Sequence, residues 1–580
     1  MSLSFFKRRL STPAAGAVLG AVTGVVDSFI HERWRHLQNA PLEPVVILLT
    51  WTICCCAVGL AFSSSRLGRL RWFPLTVAGP GVLLLSRGAT PFKQMMEWPS
   101  SRVLLAWLAA TAVMAILLSF IPLGKSRHLF AYSLATLIGI GLLVCAAADI
   151  RLADWISSPV SPDSTARNVL LIFLDTTRAD DALETTPPAM PQLAAFAANA
   201  TTFSSAWAPA SWTVPSHFAV FTGVNWWRVP PDTAGGFEYD GSRLPEQFQS
   251  HGYHTAAIFA NPLLSVEAGF AKGFGEFTTS RQSGVCHSGI GELLYRVVLN
   301  DGPHMPLCGW FTAEQVTDRA VRFIRRAHRP YLLAVNYLDT HDPYYVPPEC
   351  RPAGFQHLSR PERDVFLSAT PKKPPPPAAI VRHAHAQYRT AMSCADRYLS
   401  VLLNATARDP NTIIAIVGDH GEEFVEHGYA GHGYDVYRES THVPLVLRFP
   451  GAPPQNVTAP VSTTDLYASL LRAAKIFRGD ELLPLLDAKK RRPVVSTYEL
   501  APPPHGVAEH GYSIVSGDYQ LVFWPNKGEG FFDYRRDPAE VHPLDVAQIP
   551  AVVAPMRQLA IRVARDKQRA LQFSAVGYMR

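Results

Sequence analysis

The 580-residue sequence predicts an N-terminal α-helical transmembrane bundle, followed by an α/β domain with a central, mostly parallel sheet and a small C-terminal antiparallel subdomain. Three observations carry that expectation. Residues 1 to about 150 hold five long apolar stretches. From Asn168 onward short apolar runs alternate with amphipathic segments, the pattern of layered α/β folds. Beyond Pro484 the chain turns Pro-rich and then reads as short antiparallel strands around 512–524. The boundaries that follow are 1–150 for a five-helix membrane domain, 151–167 for an interfacial linker, 168–480 for the catalytic α/β domain and 481–580 for its C-terminal subdomain.

The apolar stretches cover about 12–30, 43–62, 72–87, 103–122 and 129–149. Most approach the roughly 20 residues a helix needs to cross a hydrocarbon core. A cleaved leader explains the first stretch but not the others behind it. With the N-terminus inside, the cytoplasmic loops carry Lys7, Arg8, Arg9, Arg66, Arg69, Arg71, Lys125 and Arg127. The opposite loops carry only Arg33, Arg35, Arg87, Lys93 and Arg102. Basic loops stay in the cytoplasm, so an odd number of spans predicts a multi-pass protein of the inner or plasma membrane, with its catalytic domain on the extracytoplasmic side. Cysteine usage agrees. Cys286, Cys308, Cys350 and Cys394 form an even set without Cys-x-x-Cys spacing, as for two disulfides in an oxidising compartment, with three pairings open. The formal charge of +6 is modest and the 53 basic residues are dispersed, so nucleic acid is not an expected partner.

Within the globular part, strands are expected at 168–174, 254–259, 331–337, 412–417 and 444–448. The helix expected at 312–327 opens on a Thr312–Gln315 capping box and places Val316, Ala320, Phe323 and Ile324 on one face. A second helix is expected from about 383 to 405, after a Lys372 to Pro377 spacer rich in proline.

The chemistry gathers at strand ends. Asp175 closes the run Asn168 to Leu174, where a buried carboxylate needs a cation or strong donors. Asp419-His420 follows the run Thr412 to Val417 between two glycines, and an adjacent carboxylate and imidazole can share one ion. Thr213, in Ser211-Trp212-Thr213-Val214-Pro215-Ser216-His217, reads as a helix N-cap by residue type. The same geometry also sets its hydroxyl beside free N–H groups and the positive end of a helix, where a tetrahedral anion binds and a metal can activate an oxygen nucleophile. His341, His432 and His442 lie in loops at strand ends, where they can bind a phosphate or protonate a leaving group. Glu422, Glu423 and Glu426 read as solvated or supporting groups.

At these residues the chain from about 168 to 545 resembles the sulfatase-like branch of the alkaline phosphatase superfamily. The matching pieces are Asn168 to Arg178, Trp212 to Gly223, His341-Asp342-Pro343-Tyr344, Gly418 to Glu422, Gly431-His432-Gly433, and Phe532-Asp533-Tyr534 with Asp537-Pro538-Ala539-Glu540. Five spans ahead of such a domain resemble the lipid A phosphoethanolamine transferases and the lipoteichoic acid synthases. The resemblance implies an alkaline phosphatase-like α/β fold and a metal held by Asp175, Thr213, Asp419 and His420. It implies catalysis by Thr213, His341 and His432, and substrate contacts from His217, His341, His432 and His442. Sulfatases carry Cys or Ser at the Thr213 position and oxidise it to formylglycine, which Thr does not supply in the same way. His217 stands where their motif has Arg, and Thr176 where a second Asp is usual. Fewer carboxylates beside His420 shift the site from an all-oxygen cage toward mixed N/O ligation, so Zn²⁺ is the expected ion, with Mn²⁺ or Ca²⁺ as alternatives.

The expected activity is therefore a membrane-anchored, metal-dependent phosphotransferase or phosphodiesterase that forms a covalent intermediate on Thr213. Its expected partners are a phosphoester donor such as a membrane phospholipid and a sugar, lipid or water acceptor. The rival readings are a sulfuric ester hydrolase working without formylglycine and a non-catalytic, lipid-binding regulatory domain.

Overall fold

The computed structural model describes residues 166–228, 239–266, 268–280, 310–327, 330–406, 409–477, 485–486, 492–499, 510–525 and 528–577. The five apolar stretches, Cys286 and Cys308 lie outside these residues. Among the described residues no helix is long and apolar enough to cross a membrane.

The centre is an eight-stranded sheet built from β1 (Val169–Leu174), β2 (Thr201–Phe203), β3 (His254–Phe259), β4 (Glu276–Thr279), β5 (Tyr331–Tyr337), β6 (Ile413–Gly418), β7 (Leu445–Arg448) and β8 (Gln455–Val457). Their spatial order is β8-β2-β7-β6-β1-β5-β3-β4. β1 pairs in parallel with β5 and β6, β3 with β5 and β4, and β8 with β2. Only β7 runs against its neighbours, β6 and β2. The sheet is thus mixed but mostly parallel.

The reason lies in the strand sequences. β1 and β6 are apolar throughout and buried at every position, as strands covered on both faces must be. Side chains alternate faces along a strand, so Leu170, Ile172 and Leu174 enter one core cluster and Val169, Leu171 and Phe173 the other. Three sheet strands escaped sequence reading. β2 and β8 have three residues each and β4 has four, too few to show a period.

Helix α1 (Thr213–Thr222) packs in the second cluster through Val214, Phe218 and Phe221. It ends at Gly223, whose φ of 71° is left-handed and whose Cβ would stand 2.9 Å from Tyr467 Cδ1. Helix α2 (Ala313–Arg326) begins as expected, with the Thr312 hydroxyl accepting the Gln315 N–H at 3.4 Å. Val316, Ala320 and Phe323 are buried along it, with Ile324 packed at the margin. Helix α3 (Ala378–Thr406) starts five residues before the expected 383, because Ala378 and Ala379 can be helical as soon as the proline run stops at Pro377. A disulfide between Cys350 and Cys394 ties the preceding loop to this helix, closing one of the three open pairings.

The C-terminal subdomain is an antiparallel sheet of β9 (Val494–Glu499), β10 (His510–Ser516), β11 (Tyr519–Trp524) and β12 (Gly528–Asp533), in that order. Its back is covered by α4 (Pro550–Gly577), which buries Val553, Met556, Ala560 and Val563 against Val495, Tyr512, Ile514, Leu521 and Phe531. The expected strands were shorter and the helix was not foreseen. The subdomain is keyed to the α/β layer by hydrogen bonds: Tyr534 Oη lies 3.0 Å from Ser205 Oγ, and the Thr497 N–H reaches the Pro209 carbonyl.

Candidate active site

Four neighbouring strands open at one edge and deliver the site. β6, β1, β5 and β3 are adjacent and parallel, and each carries a polar residue just past its carboxyl end, or near it: Asp419, Asp175, Thr340 and Asn261. Such edges are where α/β sheets place ligands, because neighbouring chains part there and leave a crevice.

Three of the four expected metal-binding side chains come together. Asp175, Asp419 and His420 are buried, and one ligand atom from each lies within 4.8 Å of the others. His420 Nε2 is 3.8 Å from Asp175 Oδ1 and 3.6 Å from Asp419 Oδ2. Backbone groups orient them. The N–H groups of Thr176 and His420 donate to Asp419 Oδ1 at 3.1 and 2.8 Å. His420 Nδ1 lies 2.9 Å from the Gly421 carbonyl, so its proton sits there and the Nε2 lone pair faces the carboxylates.

Two carboxylate oxygens in this cluster, Asp175 Oδ1 and Asp419 Oδ2, have no hydrogen-bond partner among the described residues. Burial, then the neighbouring Asp175, pushes the Asp419 carboxyl well above its ordinary range. Burial, then His432, holds the His420 imidazole well below its own. Unpaired carboxylates beside a neutral imidazole lone pair are costly unless a cation joins them, so the donor set fits a divalent ion with mixed N/O ligation.

Thr213 completes the group. The structure makes it the first residue of α1, with Trp212 as N-cap and no side-chain cap bond, so its hydroxyl is not used as a cap. Its Oγ1 instead lies 3.3 Å from His420 Nε2 and accepts from Asn261 Nδ2 at 3.2 Å. The same amide donates to Asp175 Oδ2 at 2.8 Å, and Asn336 Nδ2 donates to that oxygen at 3.2 Å. Asn261 and Asn336 were missed by sequence reading. A position on or just past a strand in the β3–β5 pair was the one available signal.

Three imidazoles form a row. The His420 and His432 rings are 4.5 Å apart, and those of His432 and His341 are 4.9 Å apart. His432 Nδ1 donates to Glu422 Oε2 at 2.7 Å, while Tyr344 Oη donates to Glu422 Oε1 at 2.6 Å. Burial lowers the His432 pKa, but the Glu422 carboxylate outweighs it and leaves the imidazole above its ordinary value. Glu422 is wholly buried and supports His432, the second of the two roles expected of it, and Glu423 is buried as well, so neither is solvated.

Two histidines sit elsewhere than expected. His217 lies one turn along α1, buried, with its ring 4.0 Å from Phe173 and Nδ1 3.0 Å from the Thr213 carbonyl. That nitrogen is also 3.4 Å from Asp419 Oδ2, so the residue lies directly against the Asp175, Asp419 and His420 cluster. Burial lowers its pKa to about 4. His442 packs on Trp207 at 5.2 Å with Nε2 3.2 Å from the Ser204 carbonyl. The helical turn Arg438–Thr441 carries it there, away from the row of imidazoles.

Similarity to other proteins accords with this layout. Residues 167–476 match the sequence pattern of the family described as Sulfatase. The chain is 27% identical over 253 residues to an uncharacterised sulfatase, YidJ, of Escherichia coli strain K12, a match covering 40% of this chain and 51% of that protein. It is 25% identical over 397 residues to a sulfatase of Formosa agariphila, covering 60% of this chain and 77% of the relative. The chain thus spans about half the length of the first of these relatives. Among solved structures, the phosphonate monoester hydrolase of Agrobacterium radiobacter aligns with a TM-score of 0.52 at 17% identity, over 70% of this chain and 96% of its own. The structure of BT4656 with its substrate D-glucosamine-2-N,6-O-disulfate aligns with the same score at 18% identity, over 70% and 98%. At those identities the likeness is one of fold.

Proposed function

The chain belongs to the sulfatase family, and from that premise we propose that it is a metal-dependent ester hydrolase or transferase acting at phosphorus, with Thr213 as nucleophile. The observation that carries this reading is the meeting of the Thr213 hydroxyl with His420 Nε2 at 3.3 Å, beside two carboxylate oxygens without a hydrogen-bond donor among the described residues.

Asp175, Asp419, His420 and Thr213 are the residues that would hold the ion. A divalent ion held there supplies Lewis acidity, which favours ionisation of a nearby hydroxyl and offsets charge on an ester oxygen. Asn261 aims the Thr213 oxygen by donating to it while fixing Asp175. Having released its proton to solvent, Oγ1 attacks and an oxygen–phosphorus bond forms as the bond to the leaving alcohol breaks. His432, its pKa raised by Glu422, donates the proton that alcohol needs, and His341 beside it holds the phosphoryl oxygens. An acceptor hydroxyl, from water, a sugar or a lipid, then attacks phosphorus and gives its proton to the now neutral His432 as the bond to Thr213 Oγ1 breaks.

The absence of a Cys or Ser at position 213 supports phosphorus over sulfur, since the formylglycine route to releasing sulfate is closed to threonine. The five apolar stretches before residue 150 support a membrane tether, and with it a phospholipid donor whose headgroup lies in the plane of the site. The disulfide Cys350–Cys394 supports an extracytoplasmic setting. A sulfate ester remains the second reading, favoured by the family itself.

Aryl phosphodiesters and aryl sulfates assayed side by side, with Thr213→Ala as control, separate the two. We expect phosphodiester turnover that falls at least ~10³-fold in the variant, and a phosphate adduct on the peptide carrying Thr213 in the parent. Sulfate turnover that depends on Thr213, without phosphodiester turnover, would overturn the proposal.

A further inference from the structure

Three residues past His420 the chain enters a second buried polar cluster. Glu423 is completely buried and begins the short ladder Glu423–Phe424 with Ala430–Gly431. The loop between these strands carries His427, whose ring stacks on Tyr437 at 3.5 Å. His427 Nε2 lies 3.2 Å from Glu439 Oε2 on the turn Arg438–Thr441. One ligand atom each from Glu423, His427 and Glu439 falls within 4.8 Å of the others. Ligands ~2.1 Å from a shared ion stand ~3.4 Å apart in a tetrahedral site, so small side-chain shifts bring these atoms to that spacing.

The local charge balance points to a missing cation. Glu423 Oε1 and Glu540 Oε1 have no hydrogen-bond partner among the described residues, though both residues are buried. Burial, then Asp435, Glu439 and Glu426, pushes the Glu423 carboxyl well above its ordinary range. Burial, then Glu439, does the same to Glu540. The nearby guanidinium of Arg178 is already engaged by Asp180, Glu426 and the Glu422 carbonyl. Arg438 gives its backbone N–H to Glu540 and its side chain to Glu184. Several buried carboxylates with so little cationic compensation cost several kcal/mol unless protonated or bound to a metal.

We propose that Glu423, His427 and Glu439 bind a second divalent cation, distinct from the one at Asp175, Asp419 and His420. Two carboxylates and an imidazole suit Zn²⁺ or Mn²⁺ better than Ca²⁺. The ion joins both ends of the loop that presents Glu422 and His432, and its role is to hold that loop in place.

The test counts metal in the full-length chain, loaded separately with Zn²⁺ and Mn²⁺, dialysed and analysed by mass spectrometry for bound ion. The parent is expected to hold two ions of at least one of these metals, and Glu439→Gln and His427→Ala one each, with folding checked by circular dichroism. Asp175→Asn is expected to keep one ion, which the double variant with Glu439→Gln loses. A parent holding a single ion that Asp175→Asn removes and Glu439→Gln leaves in place would overturn the proposal. So would two ions retained by Glu439→Gln. If the Glu439 and His427 variants do not fold, Asp175→Asn decides alone: one ion retained supports the second site, none refutes it.

Discussion

At the scale of single residues, the site depends on side chains that do no chemistry themselves. Asn261 holds both Asp175 and Thr213 through one amide, so its loss frees a proposed metal ligand and the proposed nucleophile together. Asn261→Ala is expected to lower kcat by ~10²-fold, the effect of misplacing a reacting group by about 1 Å, with little change in KM. Glu422 acts through His432. The imidazole is charged below its raised pKa and loses its proton as pH climbs through that value, so activity falls on the alkaline side. Glu422→Gln removes the carboxylate that raises it, and the alkaline limb of the kcat profile should move to lower pH. An unmoved limb would show that His432 is not the proton donor.

At the scale of elements, two features set local stability. The Cys350–Cys394 bridge spans 44 residues and anchors the loop after β5 to α3. A loop of that size is worth about 2–4 kcal/mol through the unfolded chain, so replacing both cysteines by serine should lower the urea midpoint by a matching amount. Asp339 follows β5 and accepts the Ala313 N–H that starts α2. Burial raises its carboxyl to about 7. A raised carboxyl binds its proton more tightly when folded, so the contribution is complete near pH 4 and drains away as pH rises toward 7. Asp339→Asn keeps an oxygen for Ala313 and should flatten stability over that window, read as urea midpoints at pH 5 and pH 8. An unchanged slope would place the pH dependence elsewhere.

At the scale of the molecule, the C-terminal sheet takes part in building the site. Ser496 Oγ donates to the Ala208 carbonyl at 2.6 Å and the Ser211 N–H to the Thr497 carbonyl, so β9 lies along the segment that ends at Thr213. Thr213, our proposed nucleophile, is therefore positioned by both the parallel sheet and the antiparallel one. Placement of this domain outside the cytoplasm is our proposal, from the loop charges of residues 1–150. A phosphatase reporter active only beyond the membrane, fused after Arg580, is expected to be active. Fluorescence from a cytoplasm-dependent reporter at the same point would reverse the topology.

The sequence alone determined the α/β class, the strands β1, β3, β5, β6 and β7, and the strand-end residues Asp175, Asp419 and His420 as a candidate metal set. Each of those depends on local pattern: a continuous apolar run that must be buried, followed by a polar residue that must then find a partner. Tertiary structure decided the rest. Asn261 and Asn336 carry no local signature, since their partners are 86 and 161 residues from them along the chain. His217 and His442 share their residue type with His432, and only packing turned one against Phe173, another against Trp207 and the third toward His420. Burial of Glu422 and Glu423 is likewise a property of what folds over them. A side chain's direction is set by neighbours distant in sequence, so residue type states what chemistry is available and the fold selects where it is used.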